Sequence, residues 1–403
     1  MLEKTWRWFG SNDSISLGEI RQIGVEGIVT ALHHIPNGEV WSCEEINRVK
    51  TEIEQHGMRW SVVESLPVHE EIKYGGPNRD QLIKNYKESL INLGKCGIDT
   101  ICYNFMPVID WIRTDLHHTL DNGAESLYFD FVEFVVFDRY ILNRVGDEAE
   151  YPEEIVEKAK SRFLSMSSLE KDRLVDTVII KTQGFIDGIT ADDPNQAIEL
   201  FKGLLEKYDN IDEAGLRHNL KHFLEAIIPA AEKAGINMCI HPDDPPMKVL
   251  GLPRIVGSYE DICWILDAVD SPANGLTFCA GSLSAGAHNN LTEMIKSLAD
   301  RVHFVHLRST ELSENGDFYE AEHLKGRANL AEIVRVLLLE QKSRKNSGRI
   351  DFRMPMRVDH GHRMLHDFNV NHNPGYPLIG RLKGLAEITG LEMGIELQLG
   401  NFS

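Results

Sequence analysis

Four short apolar runs in the second half of the chain stop abruptly at a residue that binds metals. They are Met238-Cys239-Ile240-His241, Leu276-Thr277-Phe278-Cys279, Phe304-Val305-His306 and Met354-Pro355-Met356-Arg357-Val358-Asp359. Each is the length of a buried strand. Few folds can place four such ends side by side. A barrel of parallel strands can, because neighbouring strands lie about 4.8 Å apart and all of them end on one rim.

The rest of the chain keeps the same rhythm. Strands are expected over residues 5–9, 25–32, 60–64 and 100–105, then over 237–241, 276–279, 302–308 and 354–359. Between the early ones, Ser16 is placed to cap a short helix, and Ser42 with Glu45 fits a capping box. A further helix is expected over 79–96. Later helices are expected near 214–234, 259–269, 289–299, 329–343 and 376–389. Strands alternating with helices of this length imply parallel βαβ units. Eight of them predict an α/β protein, a (β/α)8 TIM barrel spanning residues 1–403 as one domain, with 391–403 as a C-terminal extension. From about 106 to 212 the rhythm pauses in a polar, acidic stretch too long for a simple connection. The expectation there is a helical insertion after the fourth strand, covering the strand ends.

Composition narrows the partners. The net charge of −20 disfavours nucleic acid and anionic membranes, which attract clustered Lys and Arg. No apolar run approaches the roughly 18 residues of a membrane span, and Met1-Leu2-Glu3-Lys4-Thr5-Trp6 has no signal-like apolar core. Six cysteines without a C-x-x-C pair read as reduced thiols. A cytoplasmic protein is the expectation.

His241, Cys279, His306 and Asp359 would sit at the ends of the fifth to eighth strands, the rim where such barrels carry active sites. Taken singly, a buried cysteine is most often a small hydrophobe, a strand-end histidine a core hydrogen-bonding group, and an aspartate a cap. Their recurrence at one topological position favours a metal centre. Nitrogen, thiolate and carboxylate together suit Mn²⁺, Fe²⁺, Co²⁺ or Zn²⁺ better than Mg²⁺. Arg308 follows closely and is placed to grip a carboxylate. His360 adjoins Asp359, and Asn373-Pro374-Gly375-Tyr376 opens the last helix. His33, His34, Glu64 and Asn104 fall at the ends of the second to fourth strands. Asp243 and Asp244, in a proline-rich turn, read as turn formers.

At these residues the chain resembles the mannonate dehydratase family. The resemblance runs through Thr5-Trp6-Arg7-Trp8, Ala31 to Trp41, Cys102-Tyr103-Asn104-Phe105-Met106-Pro107 and His241-Pro242-Asp243-Asp244-Pro245-Pro246. It continues in His306-Leu307-Arg308-Ser309-Thr310, Asp359-His360-Gly361-His362, Asn373-Pro374-Gly375-Tyr376 and Gly380-Arg381-Leu382-Lys383-Gly384-Leu385. What the resemblance implies is a xylose-isomerase-like barrel acting as a hydro-lyase in hexuronate catabolism, converting D-mannonate to 2-keto-3-deoxy-D-gluconate. It implies one Mn²⁺ or Fe²⁺ on His241, Cys279, His306 and Asp359, and a catalytic pair of His360 and Tyr376. Arg308, Asn104, His34 and Trp8 would contact the sugar acid, and a homodimer is expected. Two rival activities remain: an aldose–ketose isomerase of the same barrel type, and a dehydratase for another aldonate. Such isomerases commonly use two metals in a Glu- and Asp-rich site, which Cys279 argues against.

Overall fold

The computed structural model describes residues 1–146, 150–182 and 194–400. Twelve strands follow in chain order: β1 (Glu3–Arg7), β2 (Gly27–Thr30), β3 (Arg59–Glu64), β4 (Thr100–Tyr103), β5 (Asp115–Thr119), β6 (Glu125–Phe129), β7 (Asn237–Ile240), β8 (Asn274–Cys279), β9 (Val302–His306), β10 (Thr310–Leu312), β11 (Phe318–Glu320) and β12 (Pro355–Arg357). Eight of them close a barrel in the order β1-β12-β9-β8-β7-β4-β3-β2, and every pairing is parallel. These are the eight expected strands. Every residue of β4, β8, β9 and β12 is buried, as parallel strands covered by helices require. Val29, Val62, Cys102, Cys239 and Phe304, one from each of five barrel strands, pack into a separate apolar layer. Thr277 of β8 joins that layer by donating to the Cys102 sulfur at 3.2 Å. The barrel interior is thus filled.

The insertion departs from expectation. Helices Phe131–Val136, Glu153–Ser165, Ser168–Val175 and Pro194–Leu205 are there, but the stretch opens with the hairpin β5–β6. Residues 147–149 of its acidic cluster, residues 183–193, and 401–403 of the expected C-terminal extension lie outside the described residues. The loop after β9 forms a second hairpin, β10–β11, and β11 pairs with β6 to complete a four-stranded antiparallel sheet. Both hairpins use the same turn. Asp121-Asn122-Gly123 and Glu314-Asn315-Gly316 each end in a glycine with φ of 80° and 90°, a conformation that side chains with a Cβ resist. Asn-Gly between alternating apolar residues was a readable hairpin signal.

Two apolar clusters result. One joins the barrel to its surrounding helices, and the other joins the insertion to Phe318 of β11. The last helix, Leu378–Gln398, runs on through most of the expected extension. It docks on β1: the buried Glu392 carboxylate accepts the Leu2 N–H and lies 3.4 Å from Lys4 Nζ. Arg381 of the same helix stacks on Trp6, with Cζ 3.9 Å from the ring centroid, and donates to the carbonyls of Arg7 and Tyr376 at 3.1 Å each. That one side chain ties the end of β1 to the loop before the helix. No helix of the described residues is long and apolar enough to cross a membrane.

Phe318 and Phe129 stack at 5.1 Å between centroids, joining the two hairpins. Phe318→Ala is expected to lower the unfolding free energy by about 3–5 kcal/mol, read as a shifted urea midpoint. A loss below about 1 kcal/mol would mean that the accessory sheet is not packed as a unit.

Candidate active site

β7, β8 and β9 bring three donors to one point. His241 Nε2 and His306 Nδ1 are 3.2 Å apart, and with Cys279 Sγ the three ligand atoms lie within 4.8 Å of one another. The other His241 nitrogen, Nδ1, donates to the Pro242 carbonyl at 2.7 Å, which orients the ring with Nε2 inward. Burial alone would raise the Cys279 thiol, but Arg308, His241 and His306 outweigh it and hold the group well below the usual thiol range. Burial likewise opposes the charge on His241. The Cys279 thiolate, with Glu64 and Asp110, overcomes it and lifts His241 to about 9. A thiolate and two inward-facing imidazole nitrogens, gathered where Cys279 and His306 are buried and His241 half-buried, fit a borderline divalent metal.

Asp359 lies beside this group. Its Oδ2 is 3.6 Å from His306 Nδ1 and 4.0 Å from Cys279 Sγ. Arg308 Nε donates to Oδ2 at 2.6 Å, and Arg357 donates to Oδ1. Burial disfavours the anion, but Arg357, His360 and Arg308 prevail and keep the carboxyl well below its ordinary range. The backbone here is unusual, with Asp359 at φ 60°. On a regular strand Asp359 and His360 would face opposite sides. The left-handed residue breaks that alternation, and both side chains line the same cavity. Aspartate tolerates this conformation better than most residues.

His360 Nδ1 meets Glu320 Oε1 at 3.1 Å, and its ring packs edge-on against Tyr376 at 5.0 Å. The Tyr376 hydroxyl donates to Asp359 Oδ1 at 3.4 Å. Burial pushes the phenol up to about 12, against the opposing charge of Arg357. Glu320 is held at about 2, since Arg308 and His360 together outweigh its burial. His362 lies behind, with Nε2 donating to the Glu320 carbonyl at 2.7 Å, and so supports the end of β11.

The residues expected to touch substrate divide. Asn104 and Arg308 line the cavity. All three nitrogens of the Arg308 guanidinium, however, meet protein acceptors: Nε meets Asp359, Nη1 meets Glu320 at 2.8 Å, and Nη2 meets Asp244 at 2.6 Å and Ser282 at 3.0 Å. It braces the site. Trp8 is buried away from the cavity, because alternation along the chain turns Arg7 and Phe9 inward instead. His34 is exposed and pairs with Glu45 at 2.6 Å, while its neighbour His33 lines the cavity.

Several site residues had gone unassigned. Asp244, expected only to shape a turn, binds Arg113 at 2.8 Å as well as Arg308. Glu320 binds the same two arginines, each at 2.8 Å. Arg357 holds Glu64 at 3.0 Å and contacts His306 Nε2 at 3.1 Å. Its signal was its place two residues before Asp359, on the same strand face. Glu320 had no local signal beyond the Asn-Gly turn ahead of its strand.

The chain is similar throughout its length to proteins of one family. The profile of the D-mannonate dehydratase (UxuA) family matches residues 2–400. A mannonate dehydratase of Marinomonas sp. (strain MWYL1) is 49% identical over 399 residues, 99% of this chain and all of that one. Another, from Saccharophagus degradans, is 46% identical over 397 residues, 98% of each chain. The crystal structure of the mannonate dehydratase from Streptococcus suis serotype 2 superposes with a TM-score of 0.78 at 34% identity, covering 99% of this chain and 96% of that one. With a family match over nearly its whole length and relatives 46–49% identical, this chain belongs to the D-mannonate dehydratase family.

Proposed function

We propose that the barrel mouth removes water from D-mannonate to give 2-keto-3-deoxy-D-gluconate, with His360 as base and Tyr376 as acid beside a divalent ion. The observation that carries this reading is that His241, which converges with Cys279 and His306, lines the same cavity as Asp359, Tyr376 and His360, the last held by Glu320. Mn²⁺ or Fe²⁺ suits the donors, and Asp359 completes the set. When bound, the ion supplies Lewis-acid stabilisation of the negative charge that develops as C2 loses its proton.

The chain's own residues divide the proton work. Glu320 accepts from His360 Nδ1, which fixes the tautomer and leaves Nε2 with a free lone pair. His360 therefore takes the C2 proton. The C2–H electrons form the C2–C3 double bond and the C3–O bond breaks. Tyr376 gives its hydroxyl proton to the departing oxygen, which leaves as water. The enol then tautomerises to the 2-keto acid. Arg308 keeps Asp359 and Glu320 in place, and Trp111, 5.5 Å from His360 between ring centroids, walls the cavity. Asn104 is within the same lining and is available to the sugar hydroxyls. All six cysteines are free, which fits a cytoplasmic enzyme.

His360→Ala and Tyr376→Phe are each expected to lower kcat by roughly 10²–10⁴-fold, with metal content retained. The assay is 2-keto-3-deoxy acid formation from a panel of aldonates. Near wild-type turnover by either variant removes that residue from the mechanism, and no product from D-mannonate under any metal sinks the reading. Chelation is expected to abolish turnover, and Mn²⁺ or Fe²⁺ to restore it. Cys279→Ala should bind less metal by elemental analysis and resist restoration at the same metal concentration.

A further inference from the structure

A sugar acid presents a carboxylate, and a buried cavity binds one best through an arginine offering two parallel N–H groups. Three arginines line this cavity: Arg7, Arg308 and Arg357. Counting their donors separates them. Arg308 is engaged at all three nitrogens by Asp359, Glu320, Asp244 and Ser282. Arg357 is engaged too: Nε by His306 and Glu64, Nη1 by Asp359, and Nη2 by Glu64 at 3.0 Å.

Arg7 differs. Its Nη1 donates to the Glu64 carbonyl, and the nearest carboxylate oxygen, Glu64 Oε2, is 3.7 Å away and already held by Arg357. Among the described residues, Nε and Nη2 of Arg7 have no protein acceptor. The side chain is 12% exposed, so its charge is largely withdrawn from bulk water. It is also held in place. β1 pairs Arg7 with Val29, Arg381 clamps its carbonyl, and its Cζ sits 5.0 Å from the Phe9 ring centroid. Phe9 in turn packs edge-on against Tyr376 at 4.9 Å. A fixed guanidinium with one edge open, next to the proposed acid, offers the paired donors that a carboxylate takes.

We propose that Arg7 binds the substrate carboxylate, side-on through Nε and Nη2, and selects acids over neutral polyols. This rests on the dehydration reading for the identity of the acid, and the donor count stands apart from it. Holding the carboxylate there fixes the C1 end of the sugar acid and leaves Arg308 to its bracing task.

The test compares D-mannonate with the neutral D-mannitol as ligands of the Mn²⁺-loaded protein, for the unaltered chain, Arg7→Gln and Arg7→Lys. Arg7→Gln is expected to weaken D-mannonate binding and raise KM by roughly 10- to 100-fold, with D-mannitol binding and Mn²⁺ content unchanged. Arg7→Lys, which keeps charge but not the paired donors, should fall between. An unchanged preference for D-mannonate over D-mannitol in Arg7→Gln overturns the proposal. Should Arg7→Gln fail to fold, an unaltered preference in Arg7→Lys overturns it equally. Failure of the unaltered chain to dehydrate D-mannonate counts against the reaction, whereas dehydration that ignores Arg7 counts against the subsite.

Discussion

The Arg308 guanidinium holds the active-site end of the barrel together. It is buried, and it binds Asp359 from the loop after β12, Glu320 from the accessory sheet, and Asp244 from the turn after β7. A buried cation must be paired, and removing any one partner from such a network is costly, by about 3–5 kcal/mol for a simple pair. Arg113 repeats the arrangement one step back, bridging Asp244 and Glu320. The pair of arginines makes the positions of three carboxylates interdependent. Arg308 also lies close enough to be the strongest charge favouring the Cys279 thiolate. The three converging donors, the proposed acid–base pair and the accessory sheet therefore share one electrostatic fastening.

Much of this was legible because it is local. A strand that ends in a ligand-type residue shows itself in a few residues, and eight strands with helices between, four of them ending so, leave little choice of fold. The three converging donors sit at the strand ends where the pattern put them, and His360 and Tyr376, singled out by the family resemblance, line the cavity at that rim. What escaped was non-local or a matter of facing. Glu320 reaches the site only because β11 pairs with β6, and no nearby residue signals that. Trp8 and His34 adjoin residues that do line the cavity, Arg7, Phe9 and His33. Choosing between neighbours needs the register of the strand and the course of the loop. Arg308 was placed correctly at the rim, but its task depends on partners from distant segments. The position of an arginine is written locally, and its free donors are not.

Asp359 shows how a single backbone choice serves the chemistry. Its left-handed conformation lets two consecutive side chains serve one cavity, the first beside the three converging donors and the second as the proposed base. Replacement by a residue that keeps the carboxylate but resists positive φ would disturb both at once.

The accessory sheet has a consequence for the order of folding. Ser126 of β6 donates to the Glu320 carbonyl of β11, a partner 194 residues away in sequence. Such contacts carry a large loop-closure cost when made first and a small one once the barrel has brought their anchors together. The two hairpins can form early, each on its own Asn-Gly turn, but their union must await the barrel. Glu320 reaches His360 only with that union, so a closed barrel still lacking it would already gather the three donors while the proposed base went unoriented. On the proposed reading, competence for catalysis then requires that union as well as the closed barrel.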